Sequence, residues 1–131
     1  MNKYQFTLEI AVRDYELDAE GIVNNANYLH YMEHTRHAFC RRQGYSFAQM
    51  TADGIVPVAR RVEIDYLAPL HSGDVMLSCL NVVRKGPRYI FMQDIFNQAT
   101  GQLAVKAQIT IVAIENGKIS RGDRLARLLP V

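Results

Sequence analysis

Cysteine is scarce in this sequence and long apolar runs are missing. The two cysteines among 131 residues, Cys40 and Cys79, stand far apart and in no CxxC or Cys/His spacing. They therefore suggest neither a zinc site nor a redox motif, and read as packed thiols in a reducing compartment. The N-terminal MNKYQFTLEI alternates apolar and polar residues rather than forming the apolar stretch of a signal peptide. No later run approaches a membrane span, so the expected address is the cytoplasm, with no membrane partner. An excess of charge of one sign is lacking too. The formal net charge of +2 is too small to argue for a nucleic-acid partner, whose domains carry a clustered basic excess. No glycine-rich phosphate loop, dinucleotide fingerprint or nucleophilic Ser or Cys in a known setting occurs.

What is present is the balance of one globular domain over residues 1–131, with 49% apolar and 21% charged residues, a length that buries a core without staples. Tyr4, Phe6, Leu8, Ile10 and Val12 alternate with polar residues, which predicts a half-buried strand. From Asn25 to about Arg42 the spacing becomes helical, with Leu29, Met32, Phe39 and Cys40 recurring on one side. Asn24 and Asn25 stand where an amide can cap this helix, and Gly44 is placed to end it. A short helical turn is expected at Phe47 to Thr51. Four strands follow at about 55–67, 74–84, 88–98 and 102–115, and read as a meander of antiparallel neighbours. The punctuation is Pro69 with Gly73-Asp74, then Gly86-Pro87, then Ala99-Thr100-Gly101, and Asn116-Gly117 adds a hairpin signal. The tail from Ser120 to Val131 has the apolar spacing of one helical turn at Leu125, Leu128 and Leu129.

A helix of 18 residues is only about 27 Å long. The order of elements therefore implies an α+β fold in which a long antiparallel sheet wraps around one central helix. One such sheet with a single helix has a limited core and open edges, so a homodimer or homotetramer is expected.

The densest run of unusual residues, from Arg13 to Asn25, lies between the first strand and the helix. It reads either as a solvated polar loop whose acids favour the helix N-terminus, the more ordinary case, or as a carboxylate set beside free backbone N–H groups, which is equipment for acyl transfer. The run Asp18-Ala19-Glu20-Gly21-Ile22-Val23-Asn24-Asn25, followed by Tyr28, Tyr31, Glu33 and Arg36, resembles the signature of the 4-hydroxybenzoyl-CoA thioesterase family, whose members have the hotdog fold. The match continues in Arg61 to Leu70 with Gly73-Asp74 after it. The resemblance implies hydrolysis of acyl-CoA or acyl-carrier-protein thioesters, with no metal and no cofactor apart from the coenzyme A of the substrate. It also implies that Asp18 is the catalytic carboxylate, and that Gly21, Ile22, Val23 and Tyr28 line the substrate.

Where many members have His or Tyr, this sequence has Asn25, similar to the Val-Asn-Asn branch that includes long-chain acyl thioesterases. Asn25 either donates to the thioester carbonyl or a water, or caps the helix. Glu33 shares a helical side with Leu29, Met32 and Cys40 and is expected to point inward. It is then either a buried ion pair with Arg36 or a second carboxylate at the site. His30-Tyr31-Met32-Glu33-His34 matches an H-x-x-E-H zinc motif. The spacing of His30, His34, His37 and Arg41 accounts for the same histidines as the exposed stripe of the helix, without metal. Arg84, Lys85 and Arg88 cluster at a turn and, with Arg60 and Arg61, either meet the phosphates of CoA or form a solvated hairpin end. Two rivals remain: a hydratase on the same fold, which would need a His in the loop, and a non-catalytic acyl-CoA binding module, which would need an appended reporting segment.

Overall fold

In the computed structural model, residues 3–129 are described. The elements are β1 (Phe6–Ala11), α1 (Asn25–Arg42), α2 (Phe47–Ala52), β2 (Ile55–Tyr66), β3 (Val75–Lys85), β4 (Arg88–Asn97), β5 (Leu103–Glu115) and β6 (Lys118–Ile119), with 3-10 turns at Asp14–Glu16 and Asp123–Leu128. All pairings are antiparallel, and the strand order is β1-β3-β4-β5-β2, with β6 beside the end of β5.

The alternation read from the sequence decides which face of the sheet meets α1. Met76, Leu80 and Val82 of β3, Tyr89, Phe91 and Ile95 of β4, and Val105, Ala107, Ile109 and Ile111 of β5 are buried with Met32 and Phe39 of the helix. Two polar residues interrupt this face, and both are satisfied. Ser78 meets Thr35 at 2.7 Å, and Gln93 donates to the Met32 carbonyl at 3.1 Å while accepting from Arg36 at 2.9 Å. A buried polar group left without such a partner would cost about 1–3 kcal/mol, so these pairs fix where the helix lies on the sheet.

The meander expectation needs a correction. β3, β4 and β5 do form one, but β2 pairs with β5 at the far edge, not with β3. The connection from Leu67 to Asp74 crosses three strand spacings, about 14 Å, under the N-terminus of α1. Leu70 is buried there and donates to the Tyr28 hydroxyl, so the Pro69 and Gly73-Asp74 signals mark bends within a crossover.

A bulge between Ala59 and Arg61 swaps the faces of β2. Ala59 stands opposite Ile111 before it, and Val62, Ile64 and Tyr66 stand opposite Ile109, Ala107 and Val105 after it, so the inward set changes from odd to even positions. At the Asn116-Gly117 turn both residues have positive φ, 54° and 74°, as a two-residue hairpin with β6 requires. The tail closes as expected, with Leu125 and Leu128 buried, although Pro130 and Val131 lie outside the described residues. Cys40 and Cys79 are free and buried. Among the described residues no helix is long and apolar enough to cross a membrane.

Candidate active site

The loop from Arg13 to Asn24 is held by a residue that the sequence reading passed over. Glu16 is 8% exposed. Its Oε1 accepts from the Arg13 N–H and from the Tyr31 hydroxyl, both at 2.8 Å, and its Oε2 accepts from the Arg13 guanidinium at 3.1 Å. Its carbonyl accepts from the Asn24 N–H and from the Asn27 amide. Burial pushes the Glu16 carboxyl up, but the hydrogen bonds from Arg13 and Tyr31 outweigh it and hold the group below its ordinary value. The signal in the sequence was the three-residue spacing from Arg13 to Glu16, at which a carboxylate reaches back to the N–H that opens a turn.

Asp18 starts the next turn. Its Oδ1 accepts from the N–H groups of Glu20 at 2.9 Å and Ile22 at 3.3 Å, and Oδ2 has no hydrogen-bond partner among the described residues. Gly21 takes φ of +79°, a conformation that a side chain would strain. Beyond it Ile22 bridges to His71 and the Val23 N–H donates to the Leu70 carbonyl at 2.9 Å. The loop is thereby stitched to the crossover.

Asn24 is the helix cap, accepting from the Ala26 N–H at 3.0 Å. This corrects the capping alternative for Asn25, which is the first residue of α1 and exposed. The Asn25 N–H finds no acceptor among the described residues, so a free donor points outward at the positive end of the helix. The Asn25 carbonyl accepts from the Tyr66 hydroxyl at 3.2 Å. Tyr66 packs edge-on against Tyr28 with ring centroids 5.7 Å apart, and Tyr28 packs in turn on Tyr31 at 5.9 Å.

An open cleft of about 240 Å³ results, lined by Ile22, Val23, Asn25, Tyr28, Tyr66, Leu67, Ala68 and Pro69. Four of these were expected to line the site or act in it. In the sequence Tyr66 to Pro69 reads only as a strand end and a turn, because nothing local shows that the edge strand returns to the helix N-terminus. Asp18 borders the cleft through its bond to the Ile22 N–H rather than lining it.

Other expected residues lie elsewhere. Glu33 is two turns from Asn25, about 12 Å along the axis. Its side chain is 54% exposed and faces His37 at 3.6 Å, not Arg36. The inward placement is therefore corrected, and so is that of Leu29, which is exposed. The helical spacing placed both on the sheet side, but β2 at the edge stands off from α1 and leaves a groove. His37 is not part of an exposed stripe either. It is half-buried and stacked on Phe47 with ring centroids 3.8 Å apart, and burial lowers its pKa. His30 stands 3.2 Å from the Asn27 side chain, and no metal-ligating cluster of three or more His, Cys, Asp or Glu occurs among the described residues.

The cations are also distant. Arg88 is opposite Val112 and Tyr66 is opposite Val105 on the same β5, which puts about 24 Å along the strand between the β3–β4 turn and the cleft. Arg84 binds Asp123 at 2.6 Å and the Arg121 carbonyl at 2.8 Å, while Lys85 and Arg88 are exposed. Arg61 is exposed and stands 3.5 Å from Glu63.

A carboxylate with a free oxygen beside an apolar cleft, and a helix N-terminal donor in its lining, are parts suited to acyl transfer. The family model described as the thioesterase-like superfamily matches residues 12–129. The chain belongs to that family. It is 33% identical over 108 residues to the long-chain acyl-CoA thioesterase FadM of Escherichia coli K12, covering 82% of this chain and 81% of that relative. It is 34% identical over 114 residues to the chloroplastic acyl-acyl carrier protein thioesterase ATL2 of Arabidopsis thaliana, covering 83% of this chain. The chain spans only 58% of the length of that plant relative. A crystal structure of a protein from Aquifex aeolicus matches with a TM-score of 0.89 at 28% identity, over 95% of this chain and 99% of that one. The curled antiparallel sheet around α1 is thus the hotdog arrangement of this superfamily, and the α+β expectation holds.

Proposed function

We propose that this protein hydrolyses acyl-CoA thioesters to the free acid and CoA, with Asp18 as the catalytic carboxylate and no metal or cofactor. The observation that carries the reading is that a carboxylate with one oxygen free, Asp18, is hydrogen-bonded to the Ile22 N–H, and Ile22 shares the lining of the cleft with Asn25, whose own N–H is unspent. The thioester carbonyl oxygen would lie against the Asn25 N–H, where the helix end stabilises developing negative charge. As the oxygen of a water bonds to the carbonyl carbon, Asp18 Oδ2 takes its proton; the C–S bond breaks and the CoA sulfur leaves with a proton returned to it. Direct attack by Oδ2, giving an anhydride that water then opens, uses the same atoms. Gly21 permits the turn, and Ile22, Val23 and Tyr28 form the wall beside the acyl group.

The same reading extends to assembly. β2 is a long edge strand that exposes Val56, Val58, Val62 and Tyr66, which is the kind of edge that pairs with another copy. Arg60 and Arg61 followed by Glu63 and Asp65 are self-complementary when the strand is reversed, so antiparallel β2 pairing in a homodimer sets cations against anions. It also turns the Arg84, Lys85 and Arg88 end of a second copy toward the cleft of the first, where CoA phosphates would meet it. Arg61, on the outward face of the same edge, could join them. A homotetramer would be two such dimers, and the cytoplasm is the compartment that supplies CoA thioesters to a chain with two reduced thiols.

The test is a panel of acyl-CoA and acyl-carrier-protein thioesters, aliphatic and aromatic, followed by release of free thiol with and without chelator. Turnover of CoA thioesters that survives chelation is expected. No thiol release from any of them would overturn the reading, and release lost on chelation and restored by zinc would overturn its metal-free form.

A further inference from the structure

A second cavity, of about 80 Å³, opens from the groove between α1 and β2 at the opposite end from the cleft. Its wall is mostly apolar, formed among others by Phe47, Met50, Pro57, Phe91 and Ile111, and two charged residues of α1, Glu33 and Arg36, also line it. Arg36 is only 9% exposed. One of its five N–H donors is used, in the 2.9 Å bond to Gln93, and no carboxylate pairs with it among the described residues. Burial lowers its pKa while Glu33 nearby opposes that shift, yet the Glu33 carboxylate is turned toward His37 and solvent. Cys40 in the same wall is pushed up to about 12 by burial and is a neutral thiol. Among the described residues the remaining guanidinium donors have no partner, yet they are not buried atoms, so they face the open space of the cavity.

The cavity and the cleft are joined by one helical stripe. Asn25, Leu29, Glu33, Arg36 and Cys40 follow one another at steps of four, four, three and four residues, so they lie along one side of α1. Pro57 and Ala59 of β2 line the cavity and Tyr66 lines the cleft, and Val62 and Ile64 lie between them on the face that the bulge turns inward. From Asn25 to Arg36 the stripe is about 16 Å long, which suits an extended acyl chain running from the thioester to the guanidinium.

Building on the thioesterase reading, we propose that this cavity is an acyl-end subsite in which Arg36 receives an anionic terminus, so that the preferred substrates are thioesters of α,ω-dicarboxylic acids. The planar guanidinium matches a carboxylate with two parallel hydrogen bonds, and the surrounding apolar wall strengthens the pairing by excluding water. A methyl-ended chain of the same length would fill the space and leave the cation unpaired.

The experiment measures kcat/KM for straight-chain acyl-CoA pairs of equal length, one ending in methyl and one in carboxylate. In the wild-type protein the carboxylate form should be favoured by at least about tenfold at its best length, the low end for a hydrogen bond to a charged group. In Arg36→Met that ratio should fall to about one or below. A methyl preference at every length in the wild type overturns the inference while leaving hydrolysis intact, and needs no variant to fold. If no thioester is hydrolysed, the thioesterase reading fails by itself. The subsite is then decided by free α,ω-dicarboxylates, which should raise the melting temperature of the wild type but not of Arg36→Met. Absence of that shift in the wild type overturns the subsite as well.

Discussion

Asp18 and Ile22 close a small ring. The Ile22 N–H donates to Asp18 Oδ1 at 3.3 Å, and the Ile22 carbonyl accepts from the Asp18 N–H at 2.7 Å. One carboxylate oxygen is therefore occupied with holding the loop, and the other is free for chemistry. Asp18→Asn keeps an oxygen for the ring and removes the basicity. Turnover of the best thioester should fall by at least about a hundredfold, while KM and melting temperature stay close to wild type. Asp18→Ala should lose both turnover and loop stability. Near-normal hydrolysis by Asp18→Asn, with Glu33→Gln inactive, would move the catalytic carboxylate onto the helix.

The neighbouring asparagines separate in the same way. Asn24→Ala removes the cap on the Ala26 N–H and should cost about 1 kcal/mol in urea unfolding. Asn25→Ala, at the first helical position, should cost much less, since alanine is well suited there. A greater loss of stability at Asn25 than at Asn24 would contradict this geometry.

Glu16 gives the acid limb of stability. Its carboxyl lies below the ordinary value of 4.5 in the folded protein, so the unfolded chain binds the proton more tightly than the folded one. The stabilisation is complete above that ordinary value and is lost as pH falls through the lower folded value. Glu16→Gln should therefore be less stable at neutral pH by about 1–3 kcal/mol, with the gap to wild type closing in acid. Urea unfolding measured from pH 7 to about pH 3 follows both proteins, and a gap that widens in acid would reverse the assignment.

The β2 edge is tested at Val62, which is 41% exposed on the side that faces the groove. Val62→Asp puts a charge into the centre of the proposed pairing and should shift the protein to monomer in light scattering. A wild type that is itself monomeric at micromolar concentration would remove the basis of this expectation.

The local elements were legible because their causes are local. Alternation from Tyr4 to Val12, helical spacing from Asn25 to Arg42 and the Asn116-Gly117 turn depend on residues within a few positions of one another, and the structure places each where that reasoning put it. The run from Asp18 to Asn25 was legible as a site for the same reason, since a carboxylate, a glycine turn and a helix start are adjacent in the chain.

What the tertiary structure alone decided concerns neighbours distant in sequence. β2 pairs with β5 rather than β3, because hydrogen bonding of an edge strand is settled by which edge the crossover can reach, and no local pattern encodes that. The same placement leaves a groove beside α1, which exposes Glu33 and Leu29 despite their helical spacing and leaves Arg36 facing a cavity. It also carries Tyr66 to the Asn25 carbonyl. Helical periodicity tells which residues share a side of α1, but only the distance of the strand across from that side determines whether they are covered.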